Sequence, residues 1–140
     1  MSWFRRGPRP PLELPELSPP WQTWAARLRD ALVVVETHGS DAWLVFSADP
    51  HVGVARLGDG FAVSSGKVPV PPEHLRFFPP SAGAWQSPHD LTTAEAAHAC
   101  AALLSYVLPD PSGVTVAFET TDAPLDPATA DAVRRSLTAR

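Results

Sequence analysis

Hydrophobic positions fall into blocks of different period along this chain. Trp21, Trp24, Ala25, Leu28, Ala31, Leu32 and Val35 recur at helical spacing, with Gln22, Arg27, Arg29 and Asp30 between them. Ser18-Pro19-Pro20 supplies a start signal and Gly39 stands at a helix C′ position. The pattern carries this helix to Leu32, after which residues 33–37 are rich in β-branched side chains. Three strand signals follow. Trp43-Leu44-Val45-Phe46 is apolar on both faces, as in a central strand. Asp49-Pro50 turns the chain into Val52–Leu57, and Gly58-Asp59-Gly60 marks a tight hairpin to Phe61-Ala62-Val63-Ser64. These three predict an antiparallel meander.

The second half repeats the change of period. Thr92 and Glu95 make a capping box, worth about 1 kcal/mol. It opens a helix with an apolar stripe at Ala96, Ala99, Cys100, Leu103 and Val107, ended by Pro109 and Pro111. Val114, Val116 and Phe118 alternate with Thr115, Ala117 and Glu119, the mark of a half-buried strand. Asp126-Pro127 then caps a short helix through Ala130, Val133 and Leu137. The order α-β-β-β-α-β-α predicts an α+β fold, an antiparallel sheet packed by helices, in a single domain over residues 21–140.

Composition adds a second pattern. There are 17 prolines in 140 residues, and residues 8–20 and 69–88 hold six each. The first block predicts a proline-rich N-terminal arm over residues 1–20, because proline at that density excludes helix interior and sheet interior. The second lies in a long loop, residues 66–90, with Leu75, Phe77, Phe78 and Trp85 along it. Large apolar groups in a loop predict a lid packed on the sheet or a groove. A chain of this length buries roughly 68% of its unfolded surface, enough for one core.

Charge and cysteine content narrow the function classes. The net charge is −4, and six of the eleven basic residues lie near the ends, at Arg5, Arg6, Arg9, Arg134, Arg135 and Arg140. An acidic body argues against nucleic acid as a partner, leaving only Trp3-Phe4-Arg5-Arg6 as a cluster mixing stacking with charge. Prolines replace the apolar core that a signal peptide needs, and no run has the length of a membrane span. A cytoplasmic location without membrane insertion is expected, and Cys100, the single cysteine, fits a reducing compartment.

No sequence motif names a reaction. Five residues separate Gly60 from Gly66 where a phosphate loop has four, Val68 follows Lys67, and Pro69 blocks a helix, so no phosphate loop forms. His38, His51, His74, His89 and His98 are scattered without metal-ligand spacing, so neither metal nor cofactor is expected. His89-Asp90 beside Trp85 is the one candidate general-base pair, since a carboxylate can orient an imidazole. Asp90 is equally placed to complement the dipole of the helix behind it.

The tryptophan-led first helix, the strand Trp43–Phe46, the proline-rich crossing to Trp85 and Pro88, and the capped helix leading to Pro111 and Val114–Phe118 occur in this order. The arrangement, over about residues 20–120, resembles the type III secretion chaperone-like (TY-Chap) domain of bacterial proteins. Family members often carry an asparagine after the third strand; Val63-Ser64-Ser65-Gly66 stands here, and the chain has no asparagine. The resemblance implies an α+β fold, a homodimer, and binding of a protein or peptide partner without catalysis. Phe77, Phe78 and Trp85 are the expected partner contacts, because aromatic side chains dominate interface energies. Packing of the same three under the loop is the competing expectation. An immunity or antitoxin-like protein that neutralises a toxin is the alternative function, followed by a small hydrolase built on His89 and Asp90.

Overall fold

The computed structural model describes residues 12–38, 42–46, 51–57, 60–78, 85–119 and 127–138. Gly39, Asp49-Pro50, Gly58-Asp59, Asp126 and the Trp3–Arg6 cluster lie outside them. Helix α1 spans Pro19–His38 and is followed by strands β1 (Ala42–Phe46), β2 (Val52–Leu57) and β3 (Gly60–Ser65). A short strand β4 (Trp85–Gln86), helix α2 (Thr93–Ser105), strand β5 (Val116–Glu119) and helix α3 (Pro127–Thr138) complete the order. The fold is α+β, with mixed helix and strand in one small domain.

Prolines at the very start of α1 cost it nothing, because the first-turn amides have no intrahelical partner. Gln22 reinforces this end: its backbone N–H donates to Ser18 O at 2.8 Å and its side-chain amide to Leu17 O at 2.8 Å. The helix runs past Leu32 to His38 despite its β-branched last third. Leu32 and Val35 are fully buried, and their packing outweighs a propensity loss of a few tenths of a kcal/mol per residue.

All five strands are antiparallel, in the order β4-β3-β2-β1-β5. The meander β1-β2-β3 forms as the alternation predicts, and β5 adds on the far side of β1. That placement gives β1 a partner on each side and makes it an internal strand, while β2 is the middle one of the five. Register sets two faces. Leu44, Phe46, Val52, Val54, Phe61 and Val63 join the main core, beneath the helices. Ala55 and Ala62 point the other way and are buried outside that core. On this second face the indole of Trp43 lies across Gly53, where an added Cβ would meet the ring at 2.8 Å. The three helices form one row with α1 between α2 and α3. Trp24 of α1 reaches the sheet edge-on to Phe46, ring centroids 5.4 Å apart.

Helix α2 is capped as its sequence requires: Glu95 N–H donates to Thr92 Oγ1 and Thr92 N–H to Glu95 Oε1, both at 3.1 Å. It is buried well beyond its expected stripe, with Ala97, Ala101, Ala102 and Leu104 also inside. Alanine on several sides lets α1 and the sheet approach together, and the arm joins them. Leu12, Leu14 and Leu17 pack on the core while remaining half-buried, and Pro15 is buried.

Candidate functional site

The loop of residues 66–90 carries the three expected contact residues, Phe77, Phe78 and Trp85. It contains a 3-10 turn at Pro72–His74 and then β4, whose Trp85 and Gln86 pair with Ser65 and Ser64 of β3. Beyond Gln86 the pairing continues through a side chain. Ser87 N–H donates to Val63 O at 2.9 Å, while Val63 N–H donates to Ser87 Oγ at 2.8 Å. Pro88 bends the chain away from β3, so the hydroxyl accepts where a strand carbonyl would. Phe61 and Leu91 then exchange backbone hydrogen bonds of 3.1 and 3.0 Å. Gly60 permits this return: a Cβ there would lie 2.6 Å from the carbonyl oxygen of His89.

Of the three expected contact residues, Phe78 is 1% exposed and Trp85 8%, and both belong to the core. Their rings meet edge-on with centroids 4.9 Å apart, and Phe78 also meets Tyr106 at 5.9 Å. Phe77 is half-buried, with the Arg76 guanidinium 4.5 Å above its ring. A partner could touch Phe77 as the protein stands, whereas Phe78 and Trp85 would have to leave the interior. Leu75 is the exposed member of the loop, at 41%.

Tyr106 sits over this cluster, its hydroxyl hydrogen-bonded to His74 Nδ1 at 2.7 Å. Burial first, and the Glu73 carboxylate second, push its pKa up to about 12. Both act by disfavouring the phenolate.

The candidate base pair His89-Asp90 lies on the surface just before α2. His89 is exposed, and its Nε2 lies 2.9 Å from Gln86 Nε2. Cys100 is fully buried, which raises its thiol pKa well above the usual range. His98, two positions earlier on α2, instead reaches Pro15 O at 2.6 Å. Among the described residues no group of three His, Cys, Asp or Glu side chains could hold a metal ion. Arg56 is a buried cation, but its guanidinium stacks 5.2 Å over Phe61 and donates to Gly60 O at 3.4 Å, a hairpin brace.

A larger opening lies at one end of the molecule. It is a cleft of about 710 Å³ between the start of α1, the turn before β5, and the end of α3. Trp24, Phe46, Val114 and Leu137 line it with apolar surface, and Arg27 and Arg134 bring two guanidinium groups to it. Asp110 is the carboxylate there. It accepts from the Ser112 hydroxyl and, at 2.8 Å, from Ser112 N–H, and these bonds hold its pKa low. Among the described residues β5 pairs only with β1, and Val114 and Thr115, just before β5, line the cleft. Sequence reading missed the site because its residues come from four separate segments. Arg134 registers there only as an end charge, and Trp24 and Phe46 only as core.

No protein-family model, no curated protein and no solved structure matches this chain. No helix among the described residues is long and apolar enough to cross a membrane.

Proposed function

We propose that this protein is a non-enzymatic interaction module that binds an extended segment of a protein partner at the end cleft. The reading rests on the cleft bringing apolar side chains and two arginines beside the start of β5, which among the described residues pairs only with β1. Main-chain pairing along β5 supplies affinity without sequence demands, and the half-buried Val114 and Leu137, backed by the buried Trp24 and Phe46, take apolar side chains. Arg27 and Arg134 favour a segment with carboxylates, and guanidinium groups suit them by forked hydrogen bonding. The loop aromatics then serve as the packed wall behind the sheet, with Phe77 alone offering part of its ring.

A secretion-chaperone or adaptor role, a homodimer and a cytoplasmic setting are part of the proposal through the resemblance to TY-Chap domains. Light scattering across a concentration series tests the dimer, and a monomer mass throughout removes it. The binding role is tested by affinity capture and mass spectrometry with wild-type protein beside Arg27→Glu/Arg134→Glu. A partner retained by the wild type and lost by the double variant, at unchanged melting temperature, is the expected result. Equal capture by both proteins overturns the cleft reading. A toxin as the captured partner makes the protein an immunity factor. Turnover of a generic substrate that His89→Ala abolishes overturns the non-enzymatic assignment.

A further inference from the structure

Residues 12–17 lie outside helix and strand, yet α2 grips their main chain at two points. Leu12 N–H donates to Glu95 Oε2 at 2.9 Å, and Pro15 O lies 2.6 Å from His98 Nε2. Glu95 is thus used twice, one oxygen for the helix cap and the other for the arm. The steps from Leu12 to Pro15 and from Glu95 to His98 match, so arm and helix run in the same direction.

Side chains that read a backbone amide and a backbone carbonyl are indifferent to which residue carries them. Selectivity has to come from the side-chain pattern, which here is leucine at 12 and 14, a buried proline at 15 and leucine at 17. That division of labour, main chain for affinity and spaced apolar side chains for choice, belongs to extended-peptide recognition. The arm also leaves room beside it. A groove of about 310 Å³ opens next to Leu17, with Ala25 and Ala26 of α1 and Ala94 and Ala97 of α2 along it. The arm's leucines are only half-buried, so it lies on this surface without being sealed into the core.

We propose that the α2 surface under the arm is a second peptide-reading surface, occupied in cis by residues 12–17. A partner protein's segment of the same chemistry, leucines two apart followed by proline, displaces them. The inference is independent of the end cleft, since the cleft and the groove beside the arm share no lining residue. A tethered arm competes at an effective concentration on the order of millimolar, so the wild-type surface is closed to weak free peptide.

The test uses the full chain and a fluorescent peptide of residues 12–18, read by polarisation. Leu14→Asp releases the arm, and the released protein is expected to bind the peptide about tenfold or more tightly than wild type once the tether no longer competes. Adding His98→Ala to Leu14→Asp should remove much of that gain, while Arg27→Glu leaves it unchanged. No binding by the released variant overturns the proposal. Loss of cooperative melting in Leu14→Asp overturns it too, because the arm would then be core. A wild-type dimer that free peptide dissociates assigns the surface to a second copy's arm and overturns the separate partner.

Discussion

Ser87 has no apparent importance in the sequence, a small polar residue between Gln86 and Pro88. In the fold its Oγ accepts from Val63 N–H and donates to Pro88 O at 2.6 Å, standing in for a strand carbonyl at the end of β4. Ser87→Ala leaves a buried backbone donor unmet and should cost about 1–3 kcal/mol, measured by chemical denaturation. Tyr106 gives a residue-scale prediction in solution. It is the only tyrosine, so its ionisation can be followed directly by ultraviolet absorbance. The midpoint should lie near 12, and Glu73→Gln should lower it. The folded phenol holds its proton more tightly than the unfolded one, so its contribution to stability is complete below the ordinary tyrosine pKa of about 10. It is lost as pH rises from there through the folded value.

Elements were legible in proportion to their period. The meander, the capped α2 and the helix at Pro127 follow from alternation, a capping box and a proline at N1. Two things were not. Helix α1 extends beyond Leu32 because the core holds Leu32 and Val35, a tertiary gain that local propensity does not record. Strand β4 is two residues long inside a proline-rich loop, too short for any periodic signal, and it exists because β3 offers an edge. The same loop decides how its aromatics act. Phe78→Ala or Trp85→Ala should each cost about 3–5 kcal/mol by opening the core. Denaturation measures that cost, and partner capture under conditions where the variants stay folded separates packing from contact. Capture lost while stability is unchanged would restore these two rings as contact residues.

At the scale of the whole molecule, the three helices share one face of the sheet, with the arm as an added flank on α2. This arrangement brings together residues that the chain separates widely. The end cleft draws on α1, β1, the turn at Asp110–Ser112 and α3, and the arm surface joins Leu12 to Glu95. Neither site lies in a motif, so charge and hydropathy along the chain gave no reason to group Arg27 with Arg134, or Pro15 with His98.

What the sequence determined by itself is the kind and order of elements, because the periods of helix and strand, the cap at Thr92 and the prolines are local constraints. It also determined that residues 12–18 are neither helix nor strand, whereas Pro19 and Pro20 of the expected arm open α1, where proline is tolerated. Tertiary structure alone decided which apolar groups are interior. Phe78 and Trp85 went inside, Phe77 stayed half out and Leu75 is exposed, though all four share one loop and similar hydrophobicity. Burial depends on what lies opposite a side chain, and that is fixed only when β3, α2 and Tyr106 have met. The clustering of Arg27 and Arg134 in one cleft has the same origin: it is a property of how α1 and α3 pack, which no single segment encodes.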